Sequence, residues 1–123
     1  MATERCIAAI VLLPALLLGA VAAGAHAFLD RASPPAGSAL RTAPGEISLW
    51  FAGKLEPTFS TLVVRNSDGG RVDTGNAYVD QANRSLLRVS LRPLPPGFYR
   101  VVWRVVSVDT HATQGDYTFR VGE

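Results

Sequence analysis

The sequence predicts an all-β fold, an immunoglobulin-like Greek-key β-sandwich or barrel of about seven strands that follows an N-terminal signal peptide. Three observations lead to this prediction. No window after the first 25 residues shows the periodicity of an amphipathic helix. Short runs rich in apolar residues recur instead, several with strict alternation, and turn signals containing glycine and proline separate them. About seven such runs within fewer than 100 residues is the strand density of a small sandwich.

The first 25 residues are typical of a signal peptide. An apolar run of 17 residues, Ile7 to Ala23, is shorter than the roughly 20 residues that a membrane-spanning helix needs. The run ends in Ala23-Gly24-Ala25, which places small residues at the positions that a signal peptidase inspects. We therefore expect cleavage after Ala25, with a signal peptide over residues 1–25 and one exported domain over residues 26–123.

The composition of the exported domain excludes several classes of function. Removing the signal peptide takes away one acidic and one basic side chain, Glu4 and Arg5, so the net charge stays at +2. The basic residues are spread singly along the chain, which suits a solvated surface rather than a nucleic-acid groove. The single cysteine and the single methionine, Cys6 and Met1, both precede the domain. The domain therefore has no disulfide and no sulfur ligand for a metal. We expect a monomer without a nucleic-acid partner.

Turn signals bound each strand in the first half of the domain. A short strand is predicted over residues 28–31, before the proline-rich turn of residues 33–38. Residues 46–51 form the second, with core-facing apolar residues at every second position, as in a half-buried strand. The third strand, residues 59–65, ends at the hairpin or loop signal of residues 66–70.

The second half contains the longest predicted strand. A brief strand over residues 71–73 and a polar loop over residues 74–83 precede a strand over residues 85–91. The longest strand covers residues 98–108, and the last covers residues 116–121. The near-continuous apolar run of the longest strand predicts a central position, covered on at least one face.

Both tryptophans are expected in the core. Trp103 lies in the middle of the longest strand, and Trp50 lies in the strand of residues 46–51. Arg104 follows Trp103 and points to the opposite face, so we expect it at the surface.

The segment Asp109-Thr110-His111 is the candidate functional feature. Side chains at i and i+2 of a strand leave the same face, so a carboxylate and an imidazole are expected side by side. The only other histidine, His26, becomes the first residue of the domain after the predicted cleavage. A histidine in that position offers its α-amine and its imidazole to one ion. We therefore predict a metal site composed of His26, Asp109 and His111.

The ligand set favours Cu(II). Three nitrogens and one carboxylate without sulfur suit a tetragonal site, for which Cu(II) is the strongest divalent competitor. Zn(II) usually prefers tetrahedral ligands and is the second choice. Cu(I) prefers thiolate or thioether ligands, which the domain lacks. Each of the three residues can also be explained without a metal. His26 could be at the cleavage point by chance, Asp109 could cap a turn, and His111 could be a solvated loop residue.

Residues 26–123 resemble the CopC family of exported copper-binding proteins over essentially their whole length. The resemblance lies in His26, Ser33-Pro34, Phe59-Ser60, Pro96-Gly97 and, above all, the segment WRVVSVDTHATQG at residues 103–115. It implies a Greek-key β-sandwich with a Cu(II) site formed by the amine and imidazole of the N-terminal histidine together with the Asp-Thr-His segment. It also implies a periplasmic location and a CopD-type membrane copper transporter as partner.

The expected function is therefore capture, buffering or delivery of Cu(II) outside the cytoplasm, without catalysis. We expect a single Cu(II) site and no methionine-rich Cu(I) site. A histidine-brace copper monooxygenase is the first alternative. It would need an open position for oxygen, which Asp109 would crowd. A metal-free β-sandwich adhesion module is the second alternative.

Overall fold

A computed structural model describes residues 28–122, so the predicted signal peptide and His26 lie outside the described residues. The described chain contains a single 3-10 turn, Pro57–Phe59, and otherwise only strands and loops. No helix within residues 28–122 has the length and apolarity needed to cross a membrane. The eight strands are β1 (Leu29–Ser33), β2 (Ala39–Leu40), β3 (Glu46–Phe51), β4 (Thr61–Asn66), β5 (Tyr78–Val79), β6 (Leu86–Ser90), β7 (Gly97–Val106) and β8 (Ala112–Val121).

The strands form two four-stranded sheets that enclose the core. Sheet I has the order β1-β3-β6-β5, and sheet II has the order β2-β8-β7-β4. Every pair is antiparallel except β2 with β8, which is parallel. The predicted Greek-key sandwich is thus confirmed, as two separate sheets rather than a closed barrel.

The number of strands, eight rather than about seven, reflects two short elements. β2 pairs with the end of β8, and β5 pairs with β6 inside the segment of residues 74–83 that the sequence predicts as a loop. The brief strand predicted over residues 71–73 is wrong, because Arg71 and Asp73 form only isolated bridges. Strands of two residues depend on the neighbours that they pair with, so they leave no periodic pattern in the sequence.

Burial alternates along β7 as its sequence predicts. Every second residue of this strand points into the core and is buried, namely Tyr99, Val101, Trp103 and Val105. Trp103 is therefore a core residue, as expected. The prediction of a core position for Trp50 is wrong: it is half-buried on the outer face of sheet I, where the Arg31 guanidinium lies 3.7 Å from its ring centre. The inward positions of β3 are taken by its aliphatic residues and Phe51.

Trp103 links the two sheets across the core. Its ring centre lies 6.3 Å from that of Phe51 in sheet I and 6.2 Å from that of Tyr117 in sheet II. Gly115 is the residue opposite Trp103 in β8. A Cβ atom at Gly115 would lie 2.4 Å from Cζ2 of the indole, so only glycine fits beside the ring.

We expect Gly115→Ala to destabilise the fold by about 1–3 kcal/mol, because the added methyl group must displace a buried indole. Gly45→Ala is the matched control. Gly45 has no positive φ, and a Cβ there would meet nothing within 4 Å, so its effect should stay within about 0.5 kcal/mol. Urea unfolding monitored by tryptophan fluorescence measures both. Equal stabilities of the two variants would contradict this account of the Trp103–Gly115 contact.

Candidate metal centre

The hairpin between β7 and β8 contains both described candidate ligands. The amide of Ser107 donates to the carbonyl oxygen of His111 at 2.9 Å and closes a loop of residues 108–110. Hairpin loops of three residues commonly place the last one in the left-handed region. Thr110 occupies that position with φ 74°, which is rare for a β-branched residue. Backbone strain of this kind concentrates at functional sites.

Asp109 lies in this loop and His111 directly after it, so the predicted strand position of the pair is wrong. Their side chains are nevertheless adjacent, because His111 Nδ1 lies 3.3 Å from Asp109 Oδ1. The hairpin turn brings them together instead of the alternation of a strand. The side chain of His111 is 49% exposed and that of Asp109 is 46% exposed, so a metal ion in solution can approach both.

Ser107 fixes the carboxylate of Asp109. It is buried, with 3% of its surface exposed, and its hydroxyl donates to Asp109 Oδ1. This hydrogen bond is the main reason why the pKa of Asp109 is lowered; His111 adds to the effect and desolvation opposes it. The carboxylate therefore stays ionised, as a metal ligand must. Ser107 is not among the ligands predicted from the sequence, although its position two residues before Asp109, on the core face of the β7 pattern, points to a supporting role.

The segment after β3 braces the hairpin. The amide of Val108 donates to the carbonyl of Lys54 at 3.0 Å, and Leu55 forms a bridge with Ser107. Just before this segment, the amide of Ala52 donates to the carbonyl of Phe28 at 2.8 Å. The first described residue therefore lies at the same end of the sandwich as the hairpin.

The described residues supply half of the predicted ligand set. Asp109 and His111 offer one oxygen and one nitrogen donor. Within residues 28–122, no group of three histidine, cysteine, aspartate or glutamate residues is close enough to hold a metal. The pair fits a metal site only if further donors come from elsewhere in the chain. His26, the predicted source, falls outside the described part.

Asp73 is a second carboxylate with a perturbed pKa, far less exposed than Asp109. Only 1% of its surface is exposed, and it accepts from the amides of Val64 and Gly75 and from Arg71 Nε at 2.8–2.9 Å. Desolvation alone would raise its pKa, but these hydrogen bonds outweigh it and lower the pKa. Asp73 holds the connection between β4 and β5 against β4, which is a structural role.

Comparisons with known proteins agree with these features. The sequence matches the CopC domain over residues 29–122. It is 35% identical over 100 residues to the copper transport protein CutJ of Bacillus subtilis, a match that covers 80% of this chain and 18% of CutJ.

The crystal structure of CopC from Methylosinus trichosporium OB3b superposes with a TM-score of 0.73 at 33% identity, covering 78% of this chain and 93% of that one. For PcoC, described as a methionine-rich copper resistance protein from Escherichia coli, the TM-score is 0.68 at 36% identity, with 78% and 98% covered. A domain match over more than half of the chain, together with these structural neighbours, shows that this protein belongs to the CopC family.

Proposed function

We propose that this protein is exported, loses residues 1–25, and binds one Cu(II) ion outside the cytoplasm. The ligands are the α-amine and imidazole of His26, the carboxylate of Asp109 and the imidazole of His111. The observation that carries the proposal is the adjacency of Asp109 and His111 in a braced hairpin at the end of the sandwich where β1 begins.

The length of the chain before β1 supports a role for His26. Phe28 lies at the hairpin end of the sandwich through its hydrogen bond with Ala52. Two further residues in an extended conformation span about 7 Å. The covalent chain therefore keeps His26 within about 7 Å of Phe28, at the same end of the sandwich as Asp109 and His111.

The donor chemistry supports Cu(II) over Cu(I). The nitrogen-rich set with one carboxylate suits a tetragonal ion, and residues 26–123 contain neither methionine nor cysteine. PcoC is described as methionine rich, whereas residues 26–123 of this chain have no sulfur atom that could bind Cu(I). Both the amine and the imidazoles must be deprotonated to bind copper, so affinity should fall as the pH is lowered.

The names of the relatives support a role in copper handling. CutJ is named as a copper transport protein and PcoC as a copper resistance protein. We infer that this chain buffers copper in the periplasm or delivers it to a CopD-type membrane transporter. With copper bound, the carboxylate of Asp109 beside His111 would crowd the open position that an oxygen-activating enzyme needs, which favours binding over catalysis.

His26→Ala should weaken Cu(II) binding by more than about 100-fold, since even partners of metal ligands contribute 10- to 100-fold to affinity. Adding one glycine before His26 should weaken binding comparably, because it moves the α-amine while keeping the imidazole. Competition with a chromophoric chelator gives the affinities, and mass spectrometry of the exported protein gives its first residue. Wild-type affinity in both variants, or a first residue other than His26, would remove His26 from the site.

Asp109→Asn should lower the affinity by about 10- to 100-fold, less than His26→Ala, because the amide can still accept a hydrogen bond but has no charge. Asp68→Asn removes the same charge from the exposed turn after β4, at the opposite end of sheet II, and serves as the control. Electron paramagnetic resonance of the Cu(II) complexes should change for Asp109→Asn alone. Equal spectra for the two variants would exclude Asp109 as a ligand.

Ser107→Ala should lower Cu(II) affinity by about 10-fold, because the carboxylate of Asp109 loses the hydroxyl that holds it in place. Ser60→Ala is the control for the loss of a buried hydroxyl beside the hairpin, since Ser60 donates to the carbonyl of Glu56 and accepts from the amide of Val106 but has no hydrogen bond with Asp109. Thermal unfolding without copper measures the structural cost of each change. If both variants lose stability equally and keep wild-type affinity, Ser107 has only a structural role.

A further inference from the structure

The outer face of sheet II has several arginines close together that are far apart in the sequence. Outward positions of β4, β7 and β8 alternate with core positions, and the charged residues at these positions are Arg65, Arg100, Arg104, Arg120 and Asp116. Four arginines against one aspartate give this face a net charge of +3. The whole chain has a net charge of +2, so all other residues together contribute −1.

The register of the strands sets these arginines beside one another. Arg65 of β4 lies directly opposite Arg100 of β7, an arrangement of like charges that destabilises a sheet. Asp116 accepts from Arg100 Nε at 2.7 Å and offsets part of this repulsion. The cross-strand neighbours of Arg104 are Thr61 and Gln114, neither of which is acidic. The face therefore keeps an excess of positive charge at a cost in stability.

Apolar side chains lie among these arginines. Phe98 is 60% exposed, and Val102 in the middle of the face is 38% exposed. The guanidinium of Arg120 lies 5.9 Å from the ring centre of Phe98. An exposed aromatic ring beside long basic side chains is typical of proteins that lie at the interface between a lipid bilayer and water.

The outer face of sheet I shows that this excess is specific to one side of the sandwich. There, Arg88 lies 3.5 Å from Asp80 and 3.9 Å from Glu46. Arg31 lies over the ring of Trp50 and keeps its charge, but the neighbouring residue Asp30 is also exposed. On that side of the sandwich Arg31, Arg84 and Arg88 are matched by three acids, Asp30, Glu46 and Asp80, so it has no net charge to attract anions.

We propose that the outer face of sheet II docks on the surface of an anionic phospholipid bilayer. The charge is distributed over three neighbouring strands of one sheet face, which matches an array of lipid headgroups. Single-stranded nucleic acids need a basic groove with several stacking aromatics, and here Phe98 is the single aromatic side chain among the outward positions of β4, β7 and β8. Electrostatic binding of this kind is reversible and weakens with salt.

Docking in this orientation would leave the hairpin close to the bilayer. Arg104 precedes Ser107 by three residues, or about 10 Å along a strand. The Asp109–His111 pair would then lie near the edge of the docked face. The docking itself depends on the arginines and Phe98 and not on copper, so it is tested separately from the proposed metal site.

The test uses the exported protein as the cell processes it, without copper, and vesicles of phosphatidylcholine with or without phosphatidylglycerol. The protein should co-sediment with vesicles that contain phosphatidylglycerol but not with vesicles of phosphatidylcholine only. This co-sedimentation should decrease at high salt. Arg65→Gln/Arg104→Gln should weaken binding by about 25-fold, since each basic residue near such a surface contributes about fivefold. Arg31→Gln/Arg84→Gln removes the same charge from exposed positions on the sheet I side and should retain most of the binding. Phe98→Ser should weaken binding severalfold with little change in its salt dependence.

Three outcomes would overturn the proposal. The first is no sedimentation of the wild-type protein with anionic vesicles. The second is equal loss in the two double variants, which would mean that net charge and not this face decides binding. The third is binding to polyglutamate without binding to vesicles, which would assign the face to an acidic protein. Circular dichroism and thermal unfolding of each variant verify that the fold is retained.

Discussion

The contact between Trp103 and Gly115 sets the register of β7 against β8, on which both candidate surfaces depend. Since only a residue without a Cβ atom fits beside the indole, the two residues must lie opposite each other. A shift by one residue would turn every side chain of β8 to the other face of the sheet. The same register leaves Ser107 and His111 as the pair that closes the hairpin loop, and it places Asp116 within reach of Arg100. The core thus determines both the candidate metal site and the charged outer face.

The sequence predicted the fold well because the strands of the core are long enough to show alternation. β3, β7 and the end of β8 each place apolar residues at every second position, and each was predicted to within a few residues. β2 and β5 were missed because strands of two residues exist only through their partners. Trp50 was misplaced for a related reason: its hydrophobicity suggested the core, while its position in the alternation of β3 places it outside, under Arg31.

The candidate site was predicted in part, and partly for the wrong reason. The proximity of Asp109 and His111 was expected from a strand, whereas a hairpin with Thr110 in the left-handed region produces it. A threonine gives no local signal for that conformation, because glycine or asparagine is the usual residue there. The basic face was not predicted at all. The arginines are separated in sequence, and only the pairing of β4, β7 and β8 brings them together.

Asp73 and Asp109 show why a lowered pKa does not by itself identify a functional carboxylate. Hydrogen bonds lower the pKa of both groups, yet both oxygens of Asp73 already accept bonds from the protein, and the residue is inaccessible to solvent. An ion could reach Asp73 only by displacing these donors, and that would detach the connection between β4 and β5. Asp109 is about half exposed beside an imidazole, in a loop whose conformation is strained. A carboxylate that is held ionised while remaining open to solvent can exchange a hydrogen bond for a metal without unfolding its surroundings. Accessibility combined with a fixed charge therefore distinguishes the candidate ligand from the structural acid.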